Sequence, residues 1–196
     1  MEPLLFIGKF TFFCSVHSLL AVPSIKARLT KIMGRCGAYY RLGYNLLSLL
    51  LLVWLLSGWS FPRVIYLVPG VWSLFCYLAQ LALLYAMYRC IAQTGLSDFI
   101  GIGQFERTTT DLITTGCYGK VRHPLYSLGT LFLCLNPVMT TRWLIFGVCS
   151  VIYFFIGAML EEKRLIKEFD GKYQHYRRSV PMFVPRMGLF GQETRS

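Results

Sequence analysis

Residues 46–54 read LLSLLLLVW, an apolar run that only Ser48 interrupts. The apolar stretch around this run covers residues 42–61, which is the ~20 residues that a helix needs to cross a lipid bilayer. Trp59 stands near its end, where aromatic residues concentrate at membrane interfaces, and Pro62 follows. The stretch therefore predicts a transmembrane helix.

Four further stretches have the length and composition of membrane spans, at residues 4–22, 71–92, 124–139 and 143–160. The first is not typical of a secretory signal, because no basic segment precedes it and Lys9 interrupts it. A Pro–Gly pair at 69–70 predicts a bend, and an Asn–Pro pair at 136–137 predicts the break in a short helical hairpin formed by the last two spans. The predicted fold is a single all-α integral membrane domain over residues 1–196, with five transmembrane helices and an amphipathic C-terminal tail.

The composition agrees with this fold class. The chain is 55% hydrophobic and only 15% charged, whereas a soluble domain carries roughly 25% charged residues. Both a soluble globular protein and a disordered chain are thereby excluded. The seven cysteines are scattered without a CxxC pair, which argues against a disulfide framework and against a zinc site.

The basic residues predict the orientation in the membrane. Lys and Arg number 20 against 9 for Asp and Glu, and they concentrate between spans one and two, between spans three and four, and in the tail. The opposite loops hold only Arg63 and Arg142. Because cytoplasmic loops are enriched in Lys and Arg, we expect the N-terminus outside and the C-terminus, with any active site, in the cytoplasm. The positive charge is then explained by lipid headgroups, and no nucleic-acid partner is expected.

Two polar segments on that side carry the residues that could do chemistry. Residues 114–126 read TTGCYGKVRHPLY, in which Pro124 suits the first turn of span four. Arg122 and His123 would then stand at a helix N-terminus, where unpaired backbone N–H groups favour an anion. The sequence therefore predicts an anion-binding position at the start of span four.

The second polar segment begins with Glu161 and Glu162 at the membrane edge. We expect the helix to continue to Phe169 and to stop at Asp170–Gly171. A face of aromatic and apolar residues would follow this segment, formed by Leu165, Phe169, Tyr173 and Tyr176. Because the hairpin is short, both polar segments are predicted to lie close together.

These residues also have plainer explanations, which the sequence leaves open. An interfacial Arg and Glu can form a structural ion pair, and tyrosines are common in the aromatic belt. His17, inside span one, is either functional or a neutral side chain bonded to a neighbouring helix. Lys9 is either functional or reaches the interface, and Cys117 is expected to serve packing.

The order G-x-Y-x-x-V-R-H-P-x-Y, a short hairpin, E-E and F-D-G-x-Y-x-x-Y resembles the isoprenylcysteine carboxyl methyltransferase and phospholipid methyltransferase superfamily over residues 112–185. The residues that carry it are Gly116, Tyr118, Val121, Arg122, His123, Pro124, Tyr126, Glu161, Glu162, Phe169, Gly171, Tyr173 and Tyr176. Within the superfamily, three other patterns are similar to the small methanethiol S-methyltransferase-like membrane proteins. They are His17–Ser18 followed by Lys26, residues 98–101 ahead of Gln104, and residues 136–140.

The resemblance implies S-adenosylmethionine as the methyl donor, a cytoplasmic pocket capped by the tail, an acceptor that enters from the bilayer, and no metal. It implies Arg122, His123 and Glu162 as catalytic residues. The implied donor-binding residues are Gly116, Tyr118, His123, Pro124, Tyr126, Glu161, Glu162, Tyr173 and Tyr176. Basic side chains would hold the donor carboxylate, acidic ones its ammonium, and tyrosines its sulfonium or adenine.

The resemblance leaves the methyl acceptor open between a lipophilic molecule, a small thiol and a lipid-linked carboxylate. A thiol would have to lose its proton, and His123 or a glutamate is the expected base. Two other functions compete: a membrane reductase of the steroid-reductase type that binds a nicotinamide nucleotide, and a non-enzymatic membrane subunit with the same fold.

Overall fold

The structure is a computed structural model that describes residues 2–58, 63–96, 100 and 111–186. Its described part is almost entirely helical, with one short pair of strands. The helices are α1 (Glu2–Ala21), α2 (Pro23–Met33), α3 (Tyr40–Leu56), α4 (Val71–Thr94), α5 (Cys117–Lys120), α6 (Pro124–Cys134) and α7 (Thr141–Ser179), with a 3-10 helix at Gly34–Tyr39. The strands are β1 (Val64–Leu67) and β2 (Val138–Thr140).

Four helical stretches of the described chain are long and apolar enough to cross a membrane: Glu2–Ala21, Pro23–Leu56, Val71–Thr94 and Thr141–Ser179. They contain the predicted spans at 4–22, 42–61, 71–92 and 143–160, apart from a few residues at their ends. Residues 59–61 of the second predicted span lie outside the described residues. Large side chains of α3 such as Leu46, Leu49 and Leu50 are more than half exposed, as expected for a surface that faces lipid.

The fourth predicted span is wrong in its extent. Helix α6 has 11 residues, so it is about 16 Å long, roughly half of the ~30 Å hydrocarbon core. Residues after it turn at Asn136–Pro137 and form β2 instead. The turn is stabilised by the backbone N–H of Val138, which donates to the Asn136 side chain, and by that of Val68, which donates to Pro137.

Strands β1 and β2 pair in antiparallel fashion, with Val64 opposite Thr140 and Leu67 opposite Val138. The pair joins the segment before α4 to the segment before α7. Hydropathy predicted no strand here, because both segments are short and their partner is distant in sequence. The pairing holds together the loops at the end of the helices that is opposite to the predicted site.

The packing centres on α7. Phe6 and Phe10 of α1 and Leu55 of α3 form a buried cluster against the first half of α7. Helix α6 packs against both α4 and α7. This arrangement brings the start of α6 and the polar middle of α7 to the same end of the molecule, as the hairpin predicted.

Helix α7 continues beyond the predicted stop. The expected break at Asp170–Gly171 is present as a kink, in which Asp170 has φ 40° and ψ −118°, but the helix continues to Ser179. The segment after the kink is held by burial of Tyr173 and Tyr176 against Leu112 and Leu165. Packing of this apolar face supplies the stability that keeps the second part helical.

One pair of the scattered cysteines forms a disulfide that the sequence did not predict, so Cys117 has more than the expected packing role. Cys90, in the last turns of α4, is bonded to Cys117 at the start of α5. The two are 27 residues apart, and no spacing pattern connects them. Only the fold brings these two elements together, which is why the sequence carried no signal for the bond.

Candidate functional site

A cavity of about 200 Å³ lies where α3 begins, α4 ends and α7 leaves the apolar bundle. Six of the predicted site residues line it: Tyr118, Arg122, His123, Glu161, Tyr173 and Tyr176. Residues that the sequence analysis did not assign to a site complete the lining, and these are Arg41, Thr94, Gly95, Asp111, Leu112, Ile113, Leu165 and Phe169. Both polar segments therefore meet in one cavity, as predicted.

Glu162 forms the centre of a buried ion cluster beside the cavity. Its side chain is about 6% exposed, and its Oε1 accepts from Arg122 Nε at 2.7 Å. Its Oε2 lies 3.3 Å from Arg177 Nε. Burying a carboxylate is costly unless cations and donors surround it, and here two guanidinium groups do so.

The imidazole of His123 lies between the two glutamates. Its Nε2 is 3.4 Å from Glu162 Oε1 and its Nδ1 is 3.6 Å from Glu161 Oε2. Burial raises the pKa of the Glu161 carboxyl, but the interactions with His123, Arg164 and the Tyr126 hydroxyl outweigh burial, so the pKa is lower than usual. Glu161 is therefore an anion at neutral pH on the wall of the cavity.

The segment that follows α7 covers the start of α6. The backbone N–H groups of Arg122 and His123 donate to the carbonyls of Pro181 and Met182 at 2.9 and 3.1 Å. The guanidinium of Arg122 also donates to the carbonyls of Arg177 and Val180. The backbone N–H groups of the two residues before α6 are therefore paired with the covering segment, while the anion position predicted at the first turn of α6 stays a prediction.

The two tyrosines of the kinked helix differ in their hydroxyl groups. Tyr176 donates to the carbonyl of Tyr118 at 2.6 Å, and burial raises its pKa to about 12. Tyr173 is 1% exposed, and in the described structure its hydroxyl has no hydrogen-bond partner. Burial, followed by the negative charge of Glu162, raises the pKa of Tyr173. A neutral, unpartnered hydroxyl at a cavity wall indicates a place for a polar ligand.

Four predicted site residues do not line the cavity: Gly116, Pro124, Tyr126 and Glu162. Gly116 precedes α5 with φ 62°, and a side chain there would collide with Gln93. Pro124 is the buried first residue of α6. Tyr126 stacks between His123 and Phe154, with ring centroids 5.7 and 5.4 Å apart. These residues pack behind the side chains that line the cavity and hold them in position.

Arg41 is the main residue that sequence reasoning missed. It belongs to a basic stretch that predicted headgroup contact, yet it is placed on the cavity wall near the start of α3. No local pattern distinguishes it from the other basic residues of that stretch.

Lys9 and His17, which the sequence also singled out, do not line this cavity. The side chain of Lys9 lies over the ring of Trp54, 4.9 Å from its centroid, and His17 is bonded to a neighbouring helix. Residues 98, 99, 101 and Gln104 of the predicted turn lie outside the described residues. Among the described residues, no group of three or more His, Cys, Asp or Glu side chains is placed to hold a metal ion.

The residues present fit the groups of a sulfonium methyl donor. The cavity wall offers a guanidinium in Arg41, a carboxylate in Glu161 and the side chain of Tyr173, whose buried hydroxyl has no partner in the described structure. Aromatic faces come from Tyr118 and Phe169. A donor that carries a carboxylate, an ammonium, a sulfonium and an adenine needs these four kinds of group.

Comparison with known proteins gives related sequences. A family profile described as NnrU protein matches residues 5–136. Methanethiol S-methyltransferase 2 of Bradyrhizobium diazoefficiens is 31% identical over 183 residues, which are 89% of this chain and 70% of that protein. The methanethiol S-methyltransferase of Crocosphaera subtropica is 40% identical over 83 residues, 42% of this chain and 32% of its own length.

A more distant relative is the protein-S-isoprenylcysteine O-methyltransferase of Schizosaccharomyces pombe, 36% identical over 80 residues, which are 38% of this chain and 33% of that protein. The matched part of the chain thus spans about a third of the Crocosphaera and Schizosaccharomyces proteins. No solved structure matches the chain.

Proposed function

The chain belongs to the NnrU family and is homologous over most of its length to a methanethiol S-methyltransferase, and from this premise we propose that it transfers a methyl group from S-adenosylmethionine to a small thiol. The observation that carries the proposal is the cavity that Arg41, Glu161 and Tyr173 line together, with the Tyr173 hydroxyl buried and unpartnered in the described structure. A relative that matches most of the chain is named for a thiol acceptor, so a thiol is preferred over a lipid-linked carboxylate.

The proposal assigns the roles of two residues differently from the resemblance. Both oxygens of Glu162 and the guanidinium of Arg122 are bonded to other protein groups, so these two residues hold the wall and the covering segment together. Arg41 is then the cation for the donor carboxylate, and Glu161 is the anion for its ammonium. The hydroxyl of Tyr173 is the neutral hydrogen-bond partner.

Methyl transfer requires mainly that the donor and the acceptor be held in the right relative position. Bound S-adenosylmethionine supplies an electrophilic methyl group on a positively charged sulfur. The thiolate and the sulfonium lose their charges when the methyl group moves, so a site with little water favours the reaction. Helices α3, α6 and α7 supply a fixed wall that can hold both reactants in line.

The site is proposed to face the cytoplasm. The structure places the cavity at the end of the helices where Arg41, Arg122 and Arg177 lie, and basic residues are enriched on the cytoplasmic side. With the N-terminus outside, the donor would reach the cavity from the cytosol and an apolar thiol would arrive through the bilayer.

Binding of the donor product is the first test. We expect calorimetric titration of the detergent-purified protein with S-adenosylhomocysteine to give saturable binding, and Glu161→Gln to weaken it by tenfold or more, since hydrogen bonds to charged groups contribute about 1.5–3 kcal/mol. Glu168→Gln, on an exposed turn of the same helix, is the matched control and should bind normally. Saturable binding of NADPH instead would select the reductase alternative.

Turnover is the second test. Methanethiol and S-adenosylmethionine should give dimethyl sulfide, S-adenosylhomocysteine and a proton, and dimethyl sulfide can be measured in the headspace. A folded protein that binds no S-adenosylhomocysteine and forms no methylated thiol would contradict the proposal.

A further inference from the structure

A polar cluster lies within the apolar bundle, between α1, α3 and α7. The ring of His17 contacts Ser48 through Nδ1 at 2.9 Å and Tyr44 through Nε2 at 2.8 Å. Ser18 is bonded to the hydroxyl of Tyr153 at 2.9 Å, and Tyr153 lies edge-on to the His17 ring, with centroids 6.3 Å apart. Polar side chains inside a membrane are costly and mark functional sites by default.

The hydrogen bonds define which nitrogen of His17 can take a proton. Ser48 Oγ donates to the backbone carbonyl of Tyr44 at 2.8 Å, so its hydrogen is committed and its oxygen accepts from His17 Nδ1–H. The Tyr44 hydroxyl lies 2.8 Å from Nε2 and 3.2 Å from Nδ1, and with the Nδ1 hydrogen given to Ser48 it donates to the lone pair of Nε2. A neutral imidazole with a donor on one side and an acceptor on the other is the arrangement of a proton acceptor.

The cluster lies next to the cavity on its membrane side. Arg41 lines the cavity, and Tyr44 follows it by three residues on α3, so the two share a helix face. Tyr153 precedes Glu161 by about two turns of α7, or roughly 12 Å. The hydroxyl of Tyr126 is hydrogen-bonded to Glu161. Polar groups therefore continue from the cavity to His17.

The cavity itself offers no comparable base. Each ring nitrogen of His123 faces a carboxylate oxygen, which can only accept hydrogen bonds, so neither nitrogen is turned toward a thiol. Glu161 is assigned to the donor ammonium. The proton acceptor that a thiol requires is thus better sought at His17.

The cluster can also be reached from the lipid. An open groove of about 430 Å³ on the outside of α1 and α7 is lined by Ser18 and Tyr153 of the cluster and by Cys149, with His17 and Tyr44 one contact further in. The alternative groove beside Tyr126 and Phe183, of about 380 Å³, is nearly all apolar. An apolar thiol dissolved in the bilayer would find polar partners in the first groove.

We propose that this cluster is the acceptor site, where a small uncharged thiol binds against Tyr44 and loses its proton to His17. The proposal rests on the proposed function. The thiol S–H bond breaks and its proton passes to the Tyr44 oxygen while the Tyr44 hydrogen passes to His17 Nε2. This leaves a thiolate and an imidazolium. The thiolate sulfur then bonds to the methyl carbon as the donor's carbon–sulfur bond breaks, and His17 later returns the proton to water.

The titratable side chains that surround His17 are tyrosines and cysteines, and the charged Arg41 lies one turn before Tyr44 on α3. Tyr44 faces it from α3 and Tyr153 from α7, while Cys14 of α1 interacts with both Tyr153 and Cys149. Phe13 stacks on the ring, with centroids 5.6 Å apart. Apart from Arg41, these neighbours carry no fixed charge, so the rate's dependence on pH should report the thiol and His17.

The test compares two thiols of different acidity in His17→Gln. The amide of glutamine can keep hydrogen bonds to Ser48 and Tyr44 but cannot take a proton. We expect kcat for an alkanethiol, which is protonated at pH 7, to fall about 100-fold or more, as for loss of a general base. The rate with an aromatic thiol, which is largely ionised at pH 7, should change by less than about threefold, and the lost alkanethiol rate should return as pH rises.

The controls separate this proposal from the proposed function. His175→Gln makes the same substitution at an exposed position and should leave both rates unchanged, and His17→Gln should bind S-adenosylhomocysteine as the wild type does. If His17→Gln does not fold, Tyr44→Phe must show the same selective loss. Equal losses for both thiols, or none for either, would overturn the assignment, whereas absent S-adenosylhomocysteine binding by the wild type would overturn the proposed function.

Discussion

Tyr173 and Tyr176 lie one turn apart on α7, yet their hydroxyl groups have opposite roles. That of Tyr176 is bonded to the Tyr118 carbonyl, and that of Tyr173 has no partner in the described structure. A bonded buried hydroxyl stabilises the fold by about 1 kcal/mol, while an unpaired one is a cost until a ligand binds it.

We therefore expect Tyr173→Phe to leave the free energy of unfolding of the ligand-free protein unchanged or about 1 kcal/mol higher. The same variant should bind S-adenosylhomocysteine about fivefold to tenfold more weakly, by calorimetry. Tyr176→Phe, the matched variant, should instead lower the unfolding free energy by about 1 kcal/mol. Similar destabilisation by both variants would show that Tyr173 has a protein partner.

The Glu161 carboxyl links stability to pH. Its pKa is lower in the folded protein than its ordinary value of ~4.3. The folded protein therefore binds a proton at this carboxyl more weakly than the unfolded chain does. Its contribution to stability is fully present above about pH 4.3 and is lost as pH falls through the folded pKa. Chemical denaturation between pH 6 and pH 3.5 should show this loss of unfolding free energy in acid, and the loss should be smaller in Glu161→Gln. An identical pH dependence in the two proteins would contradict the assignment.

At the scale of elements, the kink in α7 separates the membrane part of the helix from the cavity wall. The chain turns at Asp170, whose φ of 40° is unusual for a residue with a side chain, and not at the glycine beside it. The sequence suggested a stop at this pair because glycine so often ends helices. The glycine lies within the helix instead, because the tyrosines that follow are buried.

Two substitutions test whether the chain turns at Asp170 or at Gly171. Asp170→Gly should raise the free energy of unfolding by about 1 kcal/mol, because glycine adopts positive φ without strain. Gly171→Ala should raise it by up to about 1 kcal/mol, because alanine favours helix and its Cβ would have no atom within 4 Å. Thermal denaturation in detergent measures both. A loss of stability in Gly171→Ala would place the turn at the glycine, as the sequence suggested.

At the scale of the whole molecule, the proposed orientation makes a prediction about accessibility. Cys36 is exposed on the 3-10 helix between α2 and α3, within the basic segment, and should face the cytosol. A membrane-impermeant maleimide should label it only after cells are permeabilised, with Cys36→Ser as the control for its signal. A cysteine introduced as Arg63→Cys should be labelled in intact cells. The reverse pattern would invert the topology.

The disulfide between Cys90 and Cys117 offers an independent check of orientation. It lies beside the cavity, since Tyr118 lines the cavity and follows Cys117 directly. Because the cytosol keeps thiols reduced, alkylation in denaturant directly after acid quenching of the cells should modify both Cys117 and the buried Cys90, whereas the bond should protect them after oxidation of the purified protein. Mass spectrometry of the peptides measures this. A pair already protected in cells would indicate the opposite, oxidising side of the membrane.

The sequence by itself determined the membrane class, the approximate positions of four long helices and the meeting of its two polar segments. Apolar run length is a local property that the bilayer thickness selects, so it can be detected without the fold. The pairing of Arg122 and His123 with Glu161 and Glu162 was also predictable, because a short hairpin brings its two ends together.

Only the tertiary structure decided the rest. The short α6, the strand pair, the disulfide, the place of Arg41 and the partners of His17 all depend on contacts between residues far apart in the chain. Such contacts exist only after the helices have packed, and hydropathy or local spacing contains no information about which side chains then meet. For the same reason, the division of work between Glu161, which faces the cavity, and Glu162, which is enclosed by two arginines, became visible only in three dimensions.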